Sequence, residues 1–223
     1  MSMATSLSPL PRTRTARPRK GSSAWLVAGL VLFSALPLTF GILRLLQLMG
    51  ISDIMPPAAA SALPLVLHIS GALFYAVLGA FQFLPAIRRR WPSWHRAAGR
   101  LSLVGASLVV VSALWLTLSY ATVSPGGLLL AAIRVAVALG MALSVGLGLA
   151  AAIRRNIPRH REWMIRAYAL GLGSATQMLV LMVAAIITGG PPSDLDRALL
   201  MGLAWGINLA VAEWRIRPGR RAA

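Results

Sequence analysis

Six long apolar runs, separated by short polar connections, constrain the fold of this chain more than any other feature. They lie near residues 24–48, 62–87, 98–123, 127–153, 162–188 and 196–214. A helix of about 20 apolar residues crosses the hydrocarbon core of a bilayer, and within lipid a helix satisfies its own backbone groups. The sequence therefore predicts an all-α fold, an integral membrane bundle of six transmembrane helices.

Basic residues follow the same alternation along the chain. All but three of the 22 Lys and Arg residues fall in four clusters, at residues 12–20, 88–100, 154–166 and 215–221. The other connections, at residues 50–61, 124–127 and 189–196, hold no Lys or Arg. Because cytoplasmic loops of membrane proteins are enriched in these residues, we expect both termini in the cytoplasm. The net charge of +17 then reflects topology and contact with anionic inner-leaflet lipids, not nucleic-acid binding.

The runs also predict the domain organisation. Residues 1–23 are polar, basic and rich in Ser, Thr and Pro, which predicts a disordered N-terminal tail. The following run is too long for the apolar region of a signal peptide, so we expect it to be the first span of a transmembrane domain at residues 24–215. Residues 216–223 are expected to form a basic C-terminal tail.

The second apolar run carries polar and small residues at a spacing that places them on one helix face. They are His68, Gly71, Tyr75, Gly79 and Gln82. Such a stripe must face protein or water, because lipid cannot satisfy polar groups. The stripe therefore indicates either close packing with interhelical hydrogen bonds or a groove for a ligand.

A first candidate site is a ligand or cofactor pocket around His68, since an ionisable residue within a membrane span is a functional candidate. His68 is a candidate haem or metal ligand, a candidate proton carrier, or a histidine with satisfied hydrogen bonds. Arg134 would hold an acidic group of the ligand, and Met182, at a similar depth, would be a second axial ligand. With the face of the second run, the pocket comprises His68, Tyr75, Gln82, Arg134 and Met182.

A second candidate site lies at the cytoplasmic boundary, where the third and fifth runs both open with a His-Arg pair. If His95 and His160 meet, they form with Glu162 a candidate site for a transition metal; the alternative is that these residues bind lipid phosphate. Arg166 and Glu213 are expected to form a salt bridge or to share a water network, because charges at membrane depth are usually paired. This inner-face motif cluster comprises His95, Arg96, Arg100, His160, Glu162, Arg166, Asn208 and Glu213.

No hydrolase or transferase constellation is visible in the sequence. Paired carboxylates within one span, a nucleophile elbow, a phosphate-binding loop and the HExxH zinc motif are all missing. The chain has no cysteine, which excludes thiolate metal sites and cysteine nucleophiles. We therefore do not expect a conventional enzyme.

Four stretches of the chain resemble a bacterial family of predicted multi-pass membrane proteins, the domain of unknown function 2306. They are His68-Ile-Ser-Gly with Gly79-Ala-Phe-Gln-Phe, His95-Arg-Ala-Ala-Gly-Arg, His160-Arg-Glu-Trp-Met-Ile-Arg-Ala-Tyr-Ala-Leu and Trp205-Gly-Ile-Asn-Leu-Ala-Val-Ala-Glu-Trp. The resemblance covers residues 60–215 and implies a multi-pass protein of the bacterial inner membrane. In the family pattern an Arg tends to follow the third stretch, whereas this chain has Gln177 nearby. The resemblance implies no activity.

Three function classes remain open at this point. The chain is a candidate for binding haem b or a transition metal in a redox role. It is also a candidate proton-linked small-molecule carrier or channel, with His68, Tyr75 and Gln82 lining a path. The third class is a non-catalytic membrane partner or assembly protein. A homo-oligomer is compatible with each class, and the sequence identifies no protein partner.

Overall fold

The computed structural model describes residues 22–55, 60–122 and 125–220. The predicted N-terminal tail, apart from its last residues, and the end of the C-terminal tail lie outside the described residues. The described ranges contain eight α-helices and no strand, and an all-α fold is confirmed. The helices are α1 (Ser22–Leu48), α2 (Ala62–Gln82), α3 (Pro85–Arg90), α4 (Pro92–Tyr120), α5 (Gly127–Ile153), α6 (Ile157–Gly171), α7 (Gly173–Thr188) and α8 (Asp194–Arg220).

The helices have the length and composition of membrane spans. Within the described residues, α1, α2, α4, α5 and α8 are each long and apolar enough to cross a bilayer. α6 and α7 meet the same criterion only as a bent pair, which is either one broken span or a re-entrant loop. The predicted multi-pass helical bundle is therefore confirmed, with five spans, or six if α6 and α7 form one.

Several helix boundaries differ from the predicted runs. The second run ends early, at Gln82, because Pro85 starts the separate helix α3, and proline favours the first turn of a helix. α4 already begins at Pro92, so His95 lies inside the helix and not in a connection. α8 continues to Arg220, so residues 216–220, which were predicted as a tail, are helical.

The fifth run is not one straight helix, because α6 and α7 meet at Leu172 with a bend of 41°. The last carbonyls of a helix lack partners within the helix, and inside a membrane they need another donor. α8 supplies two donors: Trp205 Nε1 lies 3.2 Å from the Leu170 carbonyl oxygen, and Asn208 Nδ2 lies 3.0 Å from that of Ala169. Side chains of α8 therefore satisfy the backbone at the break.

α2 and α4 pack closely because small residues of each helix meet at their contact. A Cβ atom added at Gly71 would lie 2.9 Å from the carbonyl oxygen of Gly105, so a larger residue would force the two backbones apart. Small residues allow this approach in lipid, where van der Waals packing drives helix association. In the predicted polar stripe on α2, Gly71 therefore serves packing against α4.

α6 packs against α2 through the side chain of Tyr168. The Tyr168 hydroxyl donates to the carbonyl of Ala76 on α2 at 2.7 Å, and its ring lies 5.7 Å from that of Tyr75 and 5.1 Å from that of Phe83 between centroids. A Cβ at Gly79 would meet the same tyrosine ring. The core of the bundle is built around these contacts, from Val27, Tyr75, Ala80, Ala106, Val110, Met141, Tyr168 and Leu170.

Candidate functional site

The two ends of the bundle differ in charge. The basic end is the one where α2 leads into α3 and α4, where α5 leads into α6, and where α8 ends. Its exposed arginines are Arg88, Arg89, Arg90, Arg96, Arg100, Arg154, Arg155, Arg159, Arg161, Arg215 and Arg217. The far end holds the connections from α1 to α2, from α4 to α5 and from α7 to α8. The inner-face motif cluster lies toward the basic end, and His68 and Arg134 lie toward the far end.

His160, in the first turn of α6, is held in place by α5. Its Nδ1 atom lies 2.8 Å from the carbonyl oxygen of Gly148. A carbonyl oxygen only accepts hydrogen bonds, so Nδ1 carries the proton, and Nε2 of the neutral ring keeps its lone pair. A backbone carbonyl on one ring nitrogen is the usual way in which a metal-binding histidine is oriented.

His95, in the first turn of α4, approaches the same region. It is half-buried, and its Nδ1 atom is buried with no hydrogen-bond partner among the described residues. Its ring is close enough to interact electrostatically with His160, Arg88 and Arg96. The two histidines that open the third and fifth apolar runs therefore lie in the first turns of α4 and α6, within electrostatic reach of each other.

The predicted three-ligand site of His95, His160 and Glu162 is not formed. Across the part of the chain that the structure describes, no group of three or more His, Cys, Asp or Glu side chains could hold a metal ion. The reason is helical geometry: Glu162 follows His160 by two residues, so the two side chains point about 200° apart around α6. A bare metal ion at His95 and His160 would have two protein ligands.

The salt bridge predicted between Arg166 and Glu213 is confirmed. The guanidinium of Arg166 makes two parallel contacts with the carboxylate, at 2.5 Å from Nε and 3.1 Å from Nη2, and it also lies 4.6 Å from the centre of the Trp163 ring. Asn208, which donates to the helix break, accepts a hydrogen bond of 2.7 Å from Thr176. These members of the inner-face motif cluster join α6 and α7 to α8.

Two residues of the predicted His68 pocket are neighbours. His68 Nδ1 lies 3.1 Å from the Ser112 hydroxyl on α4, and Arg134 on α5 is close enough to act electrostatically on the histidine ring. The Ser112 hydroxyl donates its proton to backbone carbonyls of its own helix, so it accepts a hydrogen bond from Nδ1 of His68. His68 is therefore bonded to Ser112, and Arg134 lies within electrostatic reach of the histidine ring.

The other residues of that predicted pocket lie elsewhere. Tyr75 is buried in the core, and Gln82 lies toward the basic end, where Nε2 bonds weakly to the Leu78 carbonyl at 3.4 Å. Met182 is 50% exposed on the outside of α7. A pair of axial ligands needs both side chains to point into one space, but His68 turns to α4 and Met182 turns outward. The predicted His68 and Met182 pair is not formed.

Sequence reasoning missed two contributors to these sites. The Gly148 carbonyl orients His160, but a backbone acceptor leaves no signal in a sequence. Trp205 donates to a carbonyl at the helix break, and the available signal for that break was Leu172, which has a glycine on each side.

Comparison with known proteins gives a family and no closer relative. Residues 65–216 match the family described as Predicted membrane protein (DUF2306). The matched range contains every residue of the two predicted sites. No curated protein and no solved structure matches the chain significantly.

Proposed function

The chain belongs to the DUF2306 family of predicted membrane proteins, and we propose that it is a redox protein that binds haem b through His95 and His160. The observation that supports this proposal is that these two histidines lie in the first turns of α4 and α6 at the same end of the bundle, within electrostatic reach of each other. The Gly148 carbonyl fixes the tautomer of His160 and leaves Nε2 as a ligand atom. We further propose that the basic end faces the cytoplasm of a bacterial cell.

The donor set fits haem better than a bare metal ion. Protein-bound zinc and copper usually have three or four ligands from side chains, whereas the described residues offer two histidines at this place. Haem iron already has four porphyrin nitrogens and takes one or two axial ligands from the protein. When bound, haem would supply one-electron transfer. Two histidines therefore supply all the protein ligands that haem iron needs, but too few for a bare metal ion.

Neighbouring groups also fit a haem. The buried Nδ1 atom of His95 has no hydrogen-bond partner among the described residues, so no described protein group fixes the orientation of this ring through that nitrogen. The guanidinium groups of Arg88 and Arg96 lie near His95. Arginine binds carboxylates strongly, so these residues would hold the propionate groups.

The chain offers a matched set of variants, since it has only three histidines. The full chain would be purified in detergent from cells supplied with a haem precursor, and its visible spectrum recorded oxidised and dithionite-reduced. We expect a Soret band that shifts on reduction in the unmodified protein and in His68→Ala. His95→Ala and His160→Ala should lose the band or bind much less haem per chain.

Two outcomes would contradict the proposal. One is a colourless protein from cells that make haem in excess. The other is a spectrum that His95→Ala and His160→Ala leave unchanged, with loss of colour in His68→Ala alone. Elution of each variant at the unmodified volume in size-exclusion chromatography would separate loss of haem from loss of fold.

A proton-linked carrier is a second candidate, favoured by the bend at Leu172. Broken helices near the middle of the membrane form substrate and ion sites in many transporters. Here the carbonyls at the break are bonded to Trp205 and Asn208, so transport would require these bonds to open. Proton uptake by vesicles containing the colourless protein, abolished by Asn208→Leu, would support a carrier, and the absence of uptake would exclude this role.

A further inference from the structure

A groove between α7 and α8 lies on the outside of the bundle, toward the far end. Its outer part has a volume of about 570 Å³ and continues into an inner part of about 330 Å³, and the two parts share Ala184, Ile187 and Leu200. Aliphatic side chains alone line the inner part. Water needs polar partners to occupy such a space, so within a bilayer the inner part of the groove is a place for hydrocarbon.

The length of the groove corresponds to one leaflet of a bilayer. On α7 the groove extends from Leu179 to Thr188, which is about 14 Å at a rise of about 1.5 Å per residue. Half of a hydrocarbon core of about 30 Å is about 15 Å. A lipid chain that enters from the far end would therefore lie along the whole groove, with its headgroup beside the connection from α7 to α8.

The two hydroxyl groups at the outer end of the groove have already used their protons. The Thr188 hydroxyl donates to the backbone carbonyls beside it, with the oxygens of Ala184 at 3.0 Å and Gly190 at 3.1 Å. The Ser193 hydroxyl donates to Asp196 Oδ2 at 2.6 Å. Neither side chain therefore has a proton left to donate to the headgroup of a lipid.

The charge at the outer end of the groove is negative. Among the described residues that line the groove, Asp196 is the one with a charge, and it is exposed. Pro191 and Pro192 line the same end, and proline has no backbone N–H. A phosphate group would meet a carboxylate and few donors here. An ammonium group, by contrast, carries three donors and no acceptor, so its chemistry is complementary to this end of the groove.

We propose that the groove between α7 and α8 binds one phospholipid whose headgroup carries a primary ammonium group. One chain of the lipid lies along the aliphatic side chains of α7 and α8, and the ammonium group donates to the carboxylate of Asp196. The lipid comes from the leaflet at the far end. The site is separate from the two histidines at the basic end and does not depend on haem binding there.

The test is native mass spectrometry of the detergent-purified full chain, titrated with dioleoyl phosphatidylethanolamine or dioleoyl phosphatidylcholine. The two lipids have the same chains and no net charge, so the arginines of the basic end do not distinguish them. The quaternary ammonium group of phosphatidylcholine has no N–H donor. We expect the first phosphatidylethanolamine to bind about tenfold more tightly than the first phosphatidylcholine, the effect of one charge-assisted hydrogen bond.

Three variants separate the contribution of the headgroup from that of the chain. Asp196→Asn keeps the groove and removes the charge, so it should bind the two lipids with nearly equal affinity. Ala184→Phe places a ring in the groove and should lose the first bound lipid of either kind. Met182→Phe is a matched control, because Met182 is on the outside of α7 and does not line the groove. It should keep both the binding and the preference.

Several outcomes would overturn the proposal. They are equal affinity for the two lipids in the unmodified protein, the same preference in Asp196→Asn, and unchanged lipid binding in Ala184→Phe. A dimer that Ala184→Phe dissociates would also overturn it, because a second copy of the chain would then occupy the groove. If Ala184→Phe does not elute at the unmodified volume in size-exclusion chromatography, Leu200→Phe takes its place, since Leu200 lines the groove from α8.

Discussion

Replacement of Gly79 by alanine tests the packing of α6 on α2. A Cβ atom at this position would lie 2.6 Å from Cε2 and 2.9 Å from Cδ2 of Tyr168. These distances are shorter than van der Waals contact, so either the ring or a helix must move. The ring is restrained, because its hydroxyl donates to the Ala76 carbonyl at 2.7 Å and it packs at a steep angle against the Phe83 ring, with the centroids 5.1 Å apart.

The expected loss in the free energy of unfolding depends on whether the helices or the ring moves. If the helices separate, overpacking of a close-packed core costs about 1–3 kcal/mol. If the ring turns away, the Tyr168 hydrogen bond is lost, which costs about 0.5–1.5 kcal/mol together with lost packing. Alanine also favours a helix over glycine by up to about 1 kcal/mol, so the net destabilisation by Gly79→Ala should be about 1–2 kcal/mol.

The free energy of unfolding is measured by titration with sodium dodecyl sulfate in mixed micelles, followed by tryptophan fluorescence. Gly146→Ala and Gly206→Ala are matched controls, because a Cβ at either position has no neighbour within 4 Å. These controls should be neutral or stabilising. Equal free energies of unfolding for Gly79→Ala and the two controls would refute the close contact of α2 with α6.

Three further substitutions test the contacts of α8. Glu213→Gln should lower the free energy of unfolding by about 1–3 kcal/mol in the same titration, less than for a fully buried pair because Glu213 is 38% exposed. The double variant Glu213→Gln with Arg166→Met should recover part of this loss, and no recovery would argue against the salt bridge. Asn208→Leu should cost about 1–2 kcal/mol by removing two hydrogen bonds at the helix break, and an unchanged midpoint would contradict this assignment. Gly173→Ala should displace Trp205, since the new Cβ would overlap its indole nitrogen. We expect a shifted tryptophan emission maximum and lower stability, and an unchanged spectrum would count against the contact.

The membrane-spanning helices could be predicted from the sequence because burial in lipid selects long apolar runs directly. The bounds of α5 agree with the predicted run, since glycine at one end and arginine at the other mark the change of environment. The bend at Leu172 could not be predicted in this way, because no proline interrupts the run and the acceptor carbonyls are satisfied by α8, far along the chain.

The candidate sites were predictable to a different extent. Arg166 and Glu213 were predicted as a pair because opposite charges at a similar depth in the membrane usually bind each other. The metal site of His95, His160 and Glu162 was predicted because both histidines lie at the same membrane boundary and Glu162 follows His160 closely, and rotation around α6 separates Glu162 from His160. The pairing of His68 with Met182 failed for a related reason, since depth in the membrane does not fix the direction of a side chain.

The most direct test of the proposed haem site is the low-temperature electron paramagnetic resonance spectrum of the oxidised, detergent-purified protein. If His95 and His160 both bind the iron, the spectrum shows low-spin ferric haem, because two imidazole ligands give a strong axial field. His160→Ala should then convert the remaining haem to the high-spin form or lose it. The absence of a haem signal, or a low-spin signal that persists in both His95→Ala and His160→Ala, would contradict the account.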